Sequence, residues 1–131
     1  MQESLVVSFP GGKKVDVDVG SFLINTDQSK DHGGDASAPE PFAMFLASLA
    51  SCAGIFALGF CHSREIATDG LSLRLDWESE DKPPFAAKAV FHLTLPEDFP
   101  EKYRASIIRS VEKCKVKHYI HNPPEFSIEL D

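Results

Sequence analysis

The chain has few cysteines, no excess of basic residues, and no basic-then-apolar leader before its first predicted strand. Its 13 Lys and Arg residues against 20 Asp and Glu residues give a net charge of −7. That charge opposes non-specific binding to nucleic acid or to an anionic membrane. Three cysteines in a chain of this size do not make a disulfide framework. We therefore expect a cytoplasmic protein with reduced thiols and with no nucleic-acid or membrane partner.

Several common functional motifs are also absent. The sequence contains no phosphate-cradling glycine loop, no serine, histidine and acid grouping, no internal repeat and no low-complexity tract. Cys61-His62 with His118 and His121 does not predict zinc, because the two later histidines lie in a predicted loop and no second cysteine is close. We expect no metal and no bound cofactor. At 131 residues with 43% hydrophobic content, the chain is predicted to form one domain, residues 1–131.

The most informative stretch is an apolar run from Phe42 to Cys61 that carries no charge and no proline. Pro41 suits the first turn of a helix, and the charged Arg64 and Glu65 mark its other end. A helix of about 25 residues is predicted, which is long enough to span a bilayer or to form the centre of a domain.

Small residues form a stripe along this predicted helix, alternating four and three positions apart. They are Ala43, Ala47, Ala50, Gly54 and Ala57. Such a stripe lets another backbone approach closely, in soluble cores as in membrane dimers. Because the rest of the chain has the pattern of a soluble domain, we predict a central core helix. The short strands cannot cover it alone, so a homodimer is expected.

Strands are predicted on both sides of the central helix. Residues 3–9 and 13–19 alternate apolar and polar around Pro10-Gly11-Gly12 and predict a hairpin, followed by a strand at 22–26. The polar segment 27–38 is a predicted loop with room to line a site. Residues 71–77 and 87–95 predict a second hairpin.

A second helix is predicted from Asp98, with its apolar face closed by Cys114. The lysines around Cys114 are placed at the C-terminal end of that helix, and Pro123-Pro124 ends it. A last strand carries Phe126, Ile128 and Leu130 on one side. This order of elements favours an α+β fold.

Three thiols are available for redox chemistry. Cys52 and Cys61 lie about 13 Å apart along the predicted helix and on opposite sides, so they cannot bridge each other. Cys52 and Cys114 lie on apolar helix faces that could meet. Either they are small core residues, or Cys52 attacks a peroxide and Cys114 resolves the sulfenic acid as a disulfide. The second role requires a lowered pKa at Cys52, which a nearby cation or hydrogen-bond donor must supply.

Residues 26–52, TDQSKDHGGDASAPEPFAMFLASLASC, resemble the segment that leads to the first cysteine of the OsmC/Ohr family, the osmotically inducible and organic hydroperoxide resistance proteins. The segment KCKVKHYI at 113–120 resembles the region of the family's second cysteine. The resemblance implies an OsmC-like α+β fold, with two antiparallel sheet regions around the central helix, an intertwined homodimer, and a peroxidatic Cys52 paired with a resolving Cys114.

The family also uses an acidic residue in the first turn of the central helix and an N-terminal arginine. Here the acidic place falls at Phe42 or Ala43, with Glu40 just upstream, and no arginine precedes Arg64. Lys13, Lys30 or His32 could substitute, although an ammonium lacks the two-pronged geometry of guanidinium. Two hypotheses follow: a thiol peroxidase that acts on organic hydroperoxides with an external dithiol reductant, or a non-catalytic protein that binds a small apolar or thiol-reactive ligand at the dimer interface.

Overall fold

In the computed structural model, which describes residues 3–131, three antiparallel strands form the N-terminal sheet. They are β1 (Val6–Gly11), β2 (Lys14–Val19) and β3 (Phe22–Thr26), in the spatial order β1-β2-β3. Gly12 has a φ of 58°, a left-handed conformation that favours glycine in this tight turn. The predicted hairpin and third strand are confirmed.

Pairing places the apolar side chains of this sheet on one face. Val7 lies opposite Val17, and Val17 lies opposite Ile24, whereas Asp16 and Asp18 alternate to the other face. The apolar face is only partly covered within the chain, since Phe9 is 77% exposed. These strands lie in the first of two compact units, which divide the chain between residues 47 and 48. The prediction of a single domain stays a prediction.

The central helix is confirmed as α1 (Pro41–Ser63), 23 residues long. It ends in a Schellman motif, in which the Ile66 N–H donates to the Cys61 carbonyl and the Glu65 N–H donates to the His62 carbonyl. Glu65 has a φ of 53°, the left-handed conformation that such a helix end requires. The chain thus reverses direction without the glycine that usually occupies this place.

Residues 48–131 have their own hydrophobic core. The second predicted hairpin is confirmed as β4 (Ser72–Ser79) and β5 (Ala87–Thr94), with Leu73 opposite Leu93. The C-terminal half of α1 contributes the buried residues at the centre of this core, which are Ala57, Phe60 and Cys61, joined by Phe99 and Ile107. The α+β prediction is correct.

The prediction of one continuous second helix is wrong. A 3-10 turn (Glu101–Tyr103) leads into α2 (Arg104–Val111), and a separate short helix, α3 (Lys115–His121), follows. Cys114 lies at the N-cap of α3, with φ −47° and ψ 121°, so it starts a helix rather than closing one. The sequence around it contains neither Gly nor Pro, so no local signal marks the break.

The predicted C-terminal strand is also not formed. Residues 123–131 carry no strand, and Phe126, Ile128 and Leu130 are 88%, 96% and 99% exposed. An alternating sequence supplies only half of a strand, because the backbone also needs a partner to pair with. No such partner is present for these residues within the described part of the chain.

The small-residue stripe is covered unevenly within one chain. Ala57 is buried and Ala50 and Gly54 are half-buried, whereas Ala43 and Ala47 are exposed. By length and composition α1 is the one helix in residues 3–131 that could cross a membrane, with a mean hydropathy of 2.0. Three of its buried residues, Ala57, Phe60 and Cys61, pack in the core with Phe99 and Ile107.

Candidate thiol site

The structure brings Cys52 and Cys114 together. Each thiol lies near enough to the other to shift its pKa. Cys114 is 2% exposed, whereas Cys52 is half-buried and therefore the more accessible of the two. Position 52 lies in the middle of α1, and the break between α2 and α3 positions Cys114 against it.

Hydrogen-bond donors around Cys52 come from the first turn of α3. Because the first N–H groups of a helix have no partner inside it, those of Lys115 and Val116 are free to donate to another acceptor. Both lie near enough to the Cys52 sulfur to lower its pKa. The sequence predicted that Cys52 needs a nearby donor, but it did not predict which group supplies it. The donors are backbone N–H groups at the start of α3, and no residue type in the sequence marks the break before that helix.

The two thiols have opposite pKa shifts. Burial raises the pKa of Cys52, but the N–H of Val116, the Cys114 thiol, and the N–H and charge of Lys115 together exceed this effect and lower it below the ordinary value. For Cys114, burial and the adjacent Cys52 sulfur raise the pKa despite the N–H groups of Lys117 and Val116. Cys52 is therefore the stronger candidate for the thiolate, and Cys114 for the protonated thiol.

The third thiol lies in a different environment. Cys61 is fully buried in the core beside Phe60 and Ile107. Burial alone raises its pKa. Apolar surroundings favour the neutral thiol, which is a poor nucleophile, so Cys61 is not a candidate for the attacking cysteine.

Other predicted site residues lie in residues 3–47. The Glu40 carboxylate accepts hydrogen bonds from the Ser29 N–H and from His32 Nδ1, each at 2.8 Å. The Ser29 N–H is the main cause, followed by His32, of a Glu40 pKa lowered to about 2. Because Glu40 is ionised, Nδ1 of His32 must carry the proton that they share. Glu40 and His32 thus form a polar pair.

The two candidate lysines are placed differently. Lys13 is exposed in the hairpin turn and lines a shallow pocket with His32 and Gln28. Lys30 is exposed on the 3-10 turn Lys30–His32 and takes part in no ion pair among residues 3–131. Neither lysine contacts the Glu40 carboxylate through a hydrogen bond of the described chain.

Sequence reasoning missed the residue that organises this loop, Asp27. It is 1% exposed, and its carboxylate accepts the hydroxyl of Ser37 at 2.6 Å and the N–H groups of Gln28, Asp35 and Ser37. The Ser37 bonds are the main cause of a pKa lowered to about 2. Gly34 passes so close that an added Cβ would overlap the Gln28 carbonyl oxygen. Hydrogen bonds to Asp27 therefore hold the loop at 27–40 in a defined conformation.

The sequence profile of OsmC-like proteins matches residues 33–129, nearly three quarters of the chain. The chain belongs to the OsmC-like family. No curated protein sequence matches this OsmC-like chain.

Solved structures similar to this OsmC-like protein share its fold. One is from Psychrobacter arcticus, described as an osmotic stress induced and detoxification response protein, with 19% identity, a TM-score of 0.76, and 92% of this chain and 90% of that chain covered. The organic hydroperoxide resistance protein OsmC of Legionella pneumophila is 16% identical, with a TM-score of 0.62 and coverages of 92% and 89%. An organic hydroperoxide resistance protein of Vibrio cholerae, solved with captopril in one of its active sites, is 18% identical, with a TM-score of 0.60 and coverages of 94% and 86%. At these identities the likeness establishes the fold, and membership of this family assigns α1 to a domain core.

Among residues 3–131 of this OsmC-like chain, no group of three or more His, Cys, Asp or Glu side chains is arranged to hold a metal ion. His118 and His121 lie on α3 and are exposed. The predicted loop position of these histidines is thus wrong, because the helix resumes after Cys114. The chemistry of the site is that of two thiols and the N–H groups around them.

Proposed function

We propose that the protein is a thiol-dependent peroxidase that reduces organic hydroperoxides. The observation that carries this proposal is the pairing of Cys52, which is half-buried and has a lowered pKa, with Cys114, which is buried and has a raised pKa. A peroxidase needs one thiolate to attack and one thiol to resolve, and buried core cysteines would instead both have raised pKa values. Membership of a family with hydroperoxide resistance proteins among its structural neighbours supports the same chemistry.

The reaction proceeds in two steps. The Cys52 thiolate attacks one oxygen of the hydroperoxide, so that an S–O bond forms, the O–O bond breaks, and the alkoxide leaves as an alcohol after taking a proton. Cys114 then attacks the Cys52 sulfur, an S–S bond forms, and the hydroxyl of the sulfenic acid leaves as water. An external dithiol reduces the disulfide and restores both thiols, so no bound cofactor is needed.

The chemistry of the pair explains the order of attack. The N–H groups of Lys115 and Val116 stabilise negative charge on Cys52 before the reaction. Once Cys52 is a neutral sulfenic acid, its charge no longer raises the pKa of Cys114, so Cys114 loses its proton more easily. Attack by Cys52 thereby prepares Cys114 for the second step.

We further propose that the protein is a cytoplasmic homodimer. Large apolar side chains remain exposed on the single chain, and exposed apolar surface favours association with a second copy. They include Phe9, Phe22, Phe42, Ile108 and Tyr119. Light scattering at micromolar concentration tests this, and a folded monomer would contradict it.

A non-catalytic binding protein is the alternative that the absence of an arginine before Arg64 favours. The deciding experiment mixes reduced protein with cumene hydroperoxide in a stopped-flow instrument and follows thiol loss. We expect rapid loss of two thiols per chain, and Cys52→Ser should lose none at that rate. Equal slow rates for the wild type and Cys52→Ser would leave the binding-protein alternative.

A further inference from the structure

Positive charge is concentrated around Cys114. Residues 113–121 contain three lysines, two histidines and no acidic residue, although the chain as a whole has a net charge of −7. Lys113 and Lys115 are the residues directly before and after Cys114. We call the surface that these side chains form the α3 basic surface; its residues are Lys113, Lys115, Lys117, His118 and His121.

The α3 basic surface lines a pocket of about 540 Å³ that is formed by residues 112–113 and α3. The apolar residues of α3, which are Val116, Tyr119 and Ile120, do not line this pocket. Glu112 is the one acidic residue that does. The pocket is therefore polar and mainly cationic.

The lysines of this surface are not neutralised within the described chain. None of them takes part in an ion pair among residues 3–131. Elsewhere Lys14 pairs with Asp35 at 3.0 Å, and Arg104 pairs with Glu101 at 2.8 Å. Positive charge without a carboxylate partner is available to an anion that arrives from solution.

The same surface acts on the thiol pair. The charge of Lys115 is one of the causes of the lowered Cys52 pKa. An ammonium that favours a thiolate at this sulfur also favours the approach of another anion to it. Cys114 is 2% exposed whereas Cys52 is half-buried, so an incoming thiol reaches the oxidised pair at the Cys52 sulfur.

We propose that the α3 basic surface binds the thiol that reduces the Cys52–Cys114 disulfide, and that this reductant is an anion. The proposal rests on the proposed function, in which that disulfide forms. The reductant thiolate attacks the Cys52 sulfur, so that a mixed disulfide forms and Cys114 leaves as a thiolate that takes a proton from solvent. A second reductant thiol then attacks the reductant sulfur of the mixed disulfide and releases the Cys52 thiolate. The reductant is oxidised to a disulfide as the protein gains two electrons.

The total charge of the chain predicts the opposite preference. A net charge of −7 repels an anionic reductant and attracts a cationic one if only the total charge matters. Salt at roughly 0.1 M screens charges that lie more than about 10 Å apart, so lysines beside the thiols outweigh distant carboxylates. The order of reactivity among thiols of different charge therefore separates the local surface from the whole chain.

The test compares three thiols that share a two-carbon scaffold: mercaptoethanesulfonate, an anion; mercaptoethanol, which is neutral; and cysteamine, a cation. The disulfide of the full-length protein is formed with diamide, so that the measurement does not depend on peroxidase activity. Protein thiols regained are counted by acid quenching, alkylation and mass spectrometry. Each rate is divided by the rate at which the same thiol reduces a small neutral disulfide, which removes differences in intrinsic reactivity.

We expect the normalised rate of the anion to exceed that of the neutral thiol by about threefold or more at low salt, and that of cysteamine to be the lowest. Added salt should remove these differences. The double variant Lys113→Gln/Lys117→Gln should lose most of the preference while its rate with mercaptoethanol is unchanged. Lys88→Gln is the matched control, because it removes the same kind of charge from β5 and does not alter the pocket.

Equal normalised rates for the three thiols, or a preference for cysteamine, would overturn the proposal. So would a double variant that keeps the preference of the wild type. Turnover of cumene hydroperoxide is measured on the same samples. Turnover without a preference for the anion refutes the role of the α3 basic surface alone, and a preference for the anion without turnover refutes the peroxidase alone. Failure of diamide to link Cys52 to Cys114 refutes both.

Discussion

Cys52 and Cys61 lie on one helix, yet the pKa of the first is lowered and that of the second is raised. Burial raises the pKa at both positions, so the difference comes from what else each sulfur meets. Cys52 meets two N–H groups, a thiol and the charge of Lys115. Cys61 meets only the apolar core. The partners supplied by α3 and its N-cap, and not the helix that carries the cysteines, therefore determine which of the two thiols has the lowered pKa.

The largest expected effect comes from replacing each of these two thiols. Cys52→Ser should abolish reduction of an organic hydroperoxide, because a serine hydroxyl at neutral pH is a far weaker nucleophile than a thiolate. Cys61→Ala should retain nearly all activity. Coupled turnover assays with an excess of dithiol measure both activities. A comparable loss of activity in the two variants would contradict the assignment of different roles to Cys52 and Cys61.

The second effect separates attack from resolution. Cys114→Ser should consume about one equivalent of hydroperoxide and then stop in the absence of another thiol, leaving a sulfenic acid on Cys52. Peptide mapping of the peroxide-treated wild type should find a Cys52–Cys114 disulfide. A predominant bridge to Cys61 would contradict the assignment, since the core holds Cys61 away from solvent.

A third comparison concerns stability, for which we expect the substitution at Cys61 to have a larger effect than the substitution at Cys52. Cys61→Ser places a hydroxyl in an apolar core and should lower the free energy of unfolding by about 1–3 kcal/mol. Cys52→Ser changes a half-buried site with N–H donors nearby and should cost about 0.5 kcal/mol or less. Urea denaturation measures both. A larger cost at Cys52 would show that Cys52 serves mainly as a core residue.

The smallest effect concerns the source of the lowered pKa at Cys52. Lys115→Gln removes the charge only and should raise that pKa slightly, because an exposed charge is screened. Lys115→Pro removes the N–H as well and should raise it further. Proline suits the first position of α3, and the extended Cys114 backbone before it tolerates proline.

The pH dependence of thiol alkylation by iodoacetamide measures these shifts, and Lys117→Gln is a charge-matched control. Because only the thiolate reacts, alkylation and peroxide reduction should both fall as the pH drops below the pKa of Cys52. When that pKa is raised, the fall should begin at a higher pH. If Lys115→Pro and Lys115→Gln behave alike, the N–H of Lys115 contributes nothing.

Periodicity and turn residues were sufficient to predict the local elements. The alternation around Gly11-Gly12 predicted the first hairpin, and the uncharged run after Pro41 predicted α1 nearly to its last residue. These predictions succeed because helix and strand repeats are properties of neighbouring residues. The same rule failed for residues 126–130, where a strand also depends on a partner.

The sequence by itself determined the α+β fold, the central helix and the identity of the candidate thiols. Only the tertiary structure decided that the second helix breaks before Cys114, that the Lys115 and Val116 N–H groups face Cys52, and that Asp27 organises the loop before α1. The reason is physical. A repeat fixes which residues share a face, whereas a pKa depends on donors and charges that lie far apart in sequence and meet only when the chain is packed.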